Sequence, residues 1–423
     1  MDEDRTILEA ASAPAARVFP HREGQGAEPS DTYKVPANTR WVFIEAHGGS
    51  GGYSTGGESG GPGGGSIIRG LVPVVPGETL SIYSGGGAFH GWQGRPGYRP
   101  GGDGGKVKGE PSNGGGGGGS TAVVNSTGQV LIHAAGGGGS GGRGGAGGSW
   151  QDGGDGGSAG LSPGDGKKGG STGPWSHGGD GGKGGDTRLT DRGGNGFGAD
   201  GAGAGGAGGG GGGGLYCGDG GHQGSGIPSG GGGGGGSGTS DIIPTAIGVW
   251  ESHRSPQVGY VKVSQPAVVL STVASSAFKD VVLRMDGTGV GERNPIGGVV
   301  NCQHTAAGHY EHFYVRPQPD GTVTLESEQF LDVFLRMDGT GLSPEKPTGA
   351  GVVNCRYGTD ALTYFRIVAH PERLLAIESV AFPGAYLGMD GTGVDKFLPS
   401  GGGKAYCRFG AFGWEAFRML AIA

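Results

Sequence analysis

The sequence predicts an all-β protein of two unlike halves. Three observations predict it. One ten-residue phrase is written three times at a spacing of 52, as VVLRMDGTGV from Val281, VFLRMDGTGL from Val333 and AYLGMDGTGV from Ala385. Glycine supplies 110 of the 423 residues, and most of it precedes that triplet. Between the glycines stand short runs in which apolar residues alternate, bounded by Gly, Pro and Asn, which is strand patterning.

The chain opens MDEDRTILEAASAPAARVF, with three acids and no apolar core of signal-peptide type. Residues 1–30 are expected to be a polar lead-in with one short helix at Arg5–Ala11. Classical secretion is not supported. The expectation is a cytoplasmic protein, or one exported by a dedicated machine without a cleaved signal.

Residues 31–264 carry the glycine. A glycine-rich chain is costly to order, so a disordered linker is the plain alternative. Against it stand strands that spend Trp, Ile, Val and Phe: Tyr33–His47 after a Pro-containing turn, Ser66–Val75, Glu78–Gly85, Ser120–Ser126, Gln129–Gly139 and a closing Gly259–Ser264. Runs such as Gly201–Gly214 and Gly230–Gly236 keep no G-X-Y period, which excludes collagen. Polyproline-II helices packed side by side suit them, because each buried N–H and C=O then bonds to the next helix. The aromatics Trp92, Trp150, Trp175 and Tyr216 are read as loop residues.

On VPANTRWVFIEAHGGSGG (Val35–Gly52), VPVVPGETLSIYSGGG (Val72–Gly87) and VLIHAAGGGG (Val130–Gly139), the segment resembles the glycine-rich domain of many bacterial surface and phage proteins. It also resembles the glycine-rich region of the anaplastic lymphoma kinase receptor ectodomain. The resemblance covers about Asp31–Ser264. It implies a tumour-necrosis-factor-like β-sandwich carrying glycine helices, and a role in binding partners or receptors.

Residues 265–423 hold the triplet. Each unit offers an opening alternation (Ala267–Thr272, Thr322–Ser327, Leu374–Ser379), the MDGTG strand, a VVNC-type strand and a closing strand led by Phe313, Phe365 or Phe417. A unit of this size cannot bury its own apolar face, so the copies must pack together. Twelve strands with approximate threefold symmetry make a β-trefoil. The domain resembles fascin-like and fibroblast-growth-factor-like trefoils more than ricin-type lectins. The Q-x-W of the latter is replaced by Glu311-His-Phe313, Thr363-Tyr-Phe365 and Glu415-Ala-Phe417. Trefoils host lectins, cytokines, actin bundlers and protease inhibitors, so the fold alone names no activity.

Composition excludes several functions. The net charge of −7 gives no basic footprint for nucleic acid. No apolar stretch approaches the roughly 20 residues that span a bilayer. No P-loop ending occurs, chance G-x-G-x-x-G matches carry no weight, and an EF-hand pattern is absent. Four cysteines form no disulfide framework. Cys302, Cys355 and Cys407 occupy matching places, 53 and 52 apart, and three equivalent positions cannot all pair. Buried free thiols are expected.

No nucleophile or acid–base pair stands out, so no enzyme, cofactor or metal site is expected. His304, His309 and His312 cluster, but their counterparts in the other units are not histidine, and they are read as surface loop residues. Candidate ligand-binding residues are Asp286, Asp338 and Asp390 with Asn301 and Asn354, and the aromatics Tyr310, Tyr364 and Trp414. A shallow sugar site uses a carboxylate or amide for hydroxyls and a ring for the sugar face. The alternatives are a turn-capping Asp and core aromatics. The functional expectation is a non-enzymatic protein that recognises a glycan or cell-surface receptor, adhesin- or lectin-like, of the kind that forms the targeting part of a toxin or defence protein. The alternative is a scaffold or cross-linker that self-assembles as a homo-oligomer through the glycine-rich domain.

Overall fold

The computed structural model describes residues 16–21, 28–37, 39–55, 60–87, 91–107, 113–146, 149–160, 164–168, 176–177, 179–181, 206–226, 234–254, 258–264, 269–305, 308–348, 351–371 and 374–422. The helix expected at Arg5–Ala11 and Trp175 lie outside these residues. The described structure is all-β.

In the N-terminal half the alternating runs form two five-stranded antiparallel sheets. One orders Arg17–Pro20, Tyr260–Ser264, Trp41–His47, Gly65–Pro73 and Ile247–Arg254. The other orders Asp31–Lys34, Thr79–Tyr83, Thr121–Val124, Val130–Ala134 and Asp241–Ile242. Val42, Ile44, Ala46, Ile68 and Val72 from the first join Tyr33, Leu80, Ile82, Val123 and Ile132 from the second in one apolar cluster.

The central strands of the first sheet, Trp41–His47 and Gly65–Pro73, are buried on both sides. Successive side chains of a strand point to opposite faces, and here the two faces have different neighbours. Val42, Ile44 and Ala46 enter the cluster just described, whereas Trp41, with Leu71 and Ile247, joins the core of the C-terminal repeats. The Trp41 indole Nε1 donates to the Gly321 carbonyl at 3.3 Å, and Val249 pairs in parallel with Leu420. That two-sided burial explains why WVFIEAH is nearly all apolar.

Glycine segments run beside the sheets and bond to one another through their backbones. The donors from 136 to 141 show the order. Gly136, Gly137 and Gly138 give their N–H to the carbonyls of Gly213, Gly49 and Gly157, and Gly139, Ser140 and Gly141 to those of Gly210, Gly52 and Gly154. The acceptors belong to three neighbouring segments taken in rotation with a period of three, each step moving three residues along its segment. There is no room for a side chain between them. A Cβ on Gly138 would overlap the Gly235 carbonyl oxygen, one on Gly117 that of Gly211 and one on Gly63 that of Gly157. Trp150 lies on a short strand, Ser149–Gln151, rather than in a loop. Trp92 is in a bend, with the Lys106 ammonium 3.3 Å above its ring.

The C-terminal half shows the threefold plan directly. Val269–Ser275, Phe313–Pro317, Val323–Ser327, Phe365–His370, Leu374–Ser379 and Phe417–Ala421 pair around a closed barrel. Three hairpins cap it: Val281–Asp286 with Ile296–His304, Val333–Asp338 with Val352–Tyr357 and Ala385–Asp390 with Lys404–Phe409. This pairing is a β-trefoil. Phe313, Phe365 and Phe417 are fully buried and share a core with Leu283, Leu335, Leu387 and the methionines of the MDGTG runs.

Candidate functional site

The MDGTG phrase ends each hairpin's first strand, and its two glycines have different reasons. Gly289, Gly341 and Gly393 take φ of 80°, 83° and 77°, which L side chains rarely adopt. Gly287, Gly339 and Gly391 do not; instead a Cβ there would lie 2.8 Å from the ring or Cβ of Phe330, Phe382 or Phe278. The tight turn expected from Asp-Gly thus places its positive φ at the second glycine. The first glycine lets a phenylalanine from a neighbouring unit sit against the turn. That phenylalanine then meets the aromatic of a 3₁₀ turn: Phe330 lies 5.4 Å from Tyr310, and Phe278 5.4 Å from Trp414. Phe278, Phe330 and Phe382 are also spaced 52 and 52, a signal the strand patterns did not pick out because these residues precede the strands.

The aspartates cap their turns. Asp286, Asp338 and Asp390 accept from the backbone N–H of Thr288, Thr340 and Thr392, each at 3.0 Å. In the first two units an arginine clamps the second carboxylate oxygen: Arg284 to Asp286 at 3.1 Å and Arg336 to Asp338 at 3.0 Å. Burial pushes the Asp286 carboxyl up, but bonds from Thr288 and Arg284 outweigh it and hold the group below its ordinary range. Asp338 and Asp390 are held low first by their threonine hydroxyls.

Arg284 also lies 4.7 Å over the Tyr310 ring and 3.8 Å from the buried Glu311, whose carboxyl is raised chiefly by burial. Asn354 accepts from Arg336 at 3.3 Å, so the second unit gathers Asp338, Arg336 and Asn354. Asn301 instead donates to the Ser400 carbonyl at 2.7 Å, away from Asp286.

The third unit departs by a paired exchange. Gly388 stands where the arginine would be and Tyr406 where the asparagine would be, directly opposite across the hairpin. A Cβ on Gly388 would overlap the Tyr406 ring, so the ring fills the arginine's space. Its hydroxyl donates to Glu415 at 2.7 Å. Burial first, then that carboxylate, raises the Tyr406 pKa. Asp390 is therefore left without the arginine clamp. At the 3₁₀ turn of the same unit, Phe412 and Trp414 are 56% and 44% exposed.

An open cavity of about 840 Å³ lies at the seam of the first and third units. Ser275, Lys279, Asp280, Thr305, Gly413 and Arg418 wall it. Asp280 and Thr305 adopt φ of 57° and 67°, and the Thr305 N–H donates to the Asp280 carbonyl at 2.6 Å. The third unit uses Gly384 and Gly410 at the same places, where positive φ is unstrained. The second unit repeats the Asp280 geometry with Asp332 at φ 59°, so the conformation belongs to the repeat. The sequence carries no sign of this cavity, since its walls come from opposite ends of the trefoil.

No family model and no curated protein matches the sequence. Among solved structures, a mosquitocidal holotoxin is similar over 37% of this chain at 7% identity and a TM-score of 0.29, and the match spans 18% of the holotoxin chain. A Polyporus squamosus lectin bound to a human-type influenza-binding epitope matches 37% of this chain and 50% of its own at 12% identity, TM-score 0.27. A GlcNAcα1-4Gal-releasing endo-β-galactosidase from Clostridium perfringens covers 93% of this chain and 74% of its own at 8% identity, TM-score 0.26. Likeness at this level carries no function across. No helix among the described residues is long and apolar enough to cross a membrane.

Proposed function

We propose that this protein is a non-enzymatic recognition protein whose repeat half binds carbohydrate on a cell-surface partner. The observation that carries the reading is the third unit. There Asp390 is free of the arginine that clamps its counterparts, a half-exposed Trp414 rests on Phe278, and their chain neighbours Gly413, Ala277 and Lys279 wall an open cavity. A carboxylate for hydroxyls, a ring for the sugar's apolar face and a rim of Lys279, Asp280, Thr305 and Arg418 are the elements a shallow sugar site needs. In the first two units the aspartates are engaged by arginine and the tyrosines are half-buried, so Asp286, Asp338, Asn301, Asn354, Tyr310 and Tyr364 are assigned to the turn framework, and Asp390 with Trp414 to the ligand.

The architecture proposed with it has a tumour-necrosis-factor-like sandwich with polyproline-II glycine helices at 31–264, to whose first sheet the expected lead-in of residues 1–30 instead lends the strand Arg17–Pro20, and the trefoil at 265–423. The period-three rotation of donors along 136–141 supports the polyproline-II reading, because that helix has three residues per turn and no internal hydrogen bonds.

A glycan array run on the full chain, on Trp414→Ala and on Asp390→Asn tests the function. Hits on the full chain that both variants lose, with unchanged melting, support it. Hits that both variants keep place the ligand elsewhere, and an array without hits, together with large oligomers in solution, supports the scaffold instead.

A further inference from the structure

We propose that His309, His312 and Glu328 form a binding site for one divalent transition-metal ion of the zinc, nickel and copper class. The three come together through local structure. His309 opens a 3₁₀ turn, His309–Glu311, His312 is its extended C-cap, and the two rings stand 5.9 Å apart. Glu328 follows the strand Val323–Ser327, and its N–H donates to the His312 carbonyl at 3.0 Å, so the backbone holds carboxylate and imidazole side by side.

The side chains converge on one point. The Nδ1 atoms of His309 and His312 lie 2.9 and 2.8 Å from the same oxygen, Glu328 Oε2, and the ligand atoms all fall within 4.8 Å of one another. Zinc binds imidazole nitrogen and carboxylate oxygen at about 2.0–2.2 Å, which sets tetrahedral donors roughly 3.3 Å apart. An outward shift of about half an ångström by each group would admit the ion. His312 and Glu328 are 14% and 18% exposed at their side chains and form a fixed floor. His309, at 67%, is the outer ligand and leaves the fourth position open to water or an incoming donor. Two imidazoles and one carboxylate suit a borderline transition metal, whereas calcium and magnesium need more oxygen.

The trefoil supplies its own control. Contacts that serve the fold are made three times, as with the buried Phe313, Phe365 and Phe417, or with Glu311, Thr363 and Glu415, which all cap their 3₁₀ turns backward. At the places equivalent to His309, His312 and Glu328 the second unit has Ala361, Tyr364 and Val380, and the third has Gly413, Ala416 and Ser276. All three ligands change together, and the turn and strand persist without them. The sequence cluster that included His304 misled, because the third ligand is an acid 16 residues beyond His312.

The test is calorimetric titration of chelator-treated full-length protein with zinc chloride, with magnesium and calcium chloride as controls. The expected result is one zinc per chain, no heat from the controls, and at least a tenfold loss of affinity in both His309→Ala and Glu328→Gln. Cobalt(II) should give a visible d–d absorption band that the same variants abolish. His309 is on the surface, so His309→Ala should melt like the parent without metal and decides the matter even if an inner-ligand variant unfolds. No stoichiometric zinc in the parent, or zinc bound equally well by both variants, overturns the site.

Discussion

The two halves solve one problem with opposite means. In the repeat half, side chains do the packing: three phenylalanines, three leucines and three methionines meet on a pseudo-threefold axis. In the glycine half, the absence of side chains does it. Backbones approach until each carbonyl oxygen occupies the place where a neighbour's Cβ would be, and hydrogen bonds between segments satisfy the buried peptide groups. The first kind of core is described by what fills it, and tolerates volume changes at a graded cost. The second is described by what must be missing, and tolerates almost none.

The sharpest way to break the comparison is one methyl group. Gly138→Ala should abolish ordering of the glycine half, because the new Cβ meets the Gly235 carbonyl and backbone cannot step aside. Gly413→Ala, with open space around it, should change the stability by no more than about 0.5 kcal/mol. Soluble yield and thermal melts of the two variants decide it; equal behaviour would sink the account of the glycine packing.

The corresponding insult to the repeat half is Phe365→Ala. It should cost about 3–5 kcal/mol in a denaturant titration and still leave a folded protein. Smaller again is Gly287→Ala, which presses a methyl on Phe330. The ring can turn, so the loss should be about 1–3 kcal/mol, and Phe330→Leu in the same chain should return part of it.

The gentlest probe is pH, read through one buried histidine and three buried thiols. His133 is fully buried and, by that burial and then the Arg99 charge, falls from 6.5 to about 3. Its contribution is complete above 6.5, the unfolded value, and is lost as pH falls toward 3. Burial raises Cys302, Cys355 and Cys407 from 9.0 to about 12. Theirs is complete below 9 and is lost as pH rises toward 12. Hydrogen exchange read segment by segment should show acid loosening the strand Val130–Ala134 first and alkali loosening the hairpins first. The reverse order would refute the assignment.

How far the sequence could carry this picture depended on what marks a contact leaves. The threefold plan was legible because a constant interval of 52 survives in Phe313, Phe365 and Phe417, and Cys302, Cys355 and Cys407 are buried thiols outside any disulfide, as their spacing suggested. The aromatic pads Phe278, Phe330 and Phe382 carried the same interval but sit before strands, outside the alternating windows. Trp41, Leu71 and Ile247 could not be assigned to a second core, because a strand buried on two faces reads only as a longer apolar run. The rotation of donors along 136–141 leaves no mark at all in a string of glycine. The exchange of Arg and Asn for Gly388 and Tyr406 was half visible: the tyrosine stood out, but only its position across the hairpin from a glycine explains it.

The thiols hold one more consequence. Cys302 lies 3.4 Å from the Asp390 carbonyl, Cys407 3.5 Å from that of Asp338 and Cys355 3.6 Å from that of Asp286. Each sulfur also occupies the space a Cβ would need on Gly403, Gly351 or Gly298. First unit touches third, third touches second, second touches first. The contact closes on itself like a three-person handshake, so it has no leading or trailing member. Nothing in that ring depends on where the chain enters it. A trefoil re-cut to start at its second unit, or assembled from three separate copies of one unit, would present the same three handshakes in the same order.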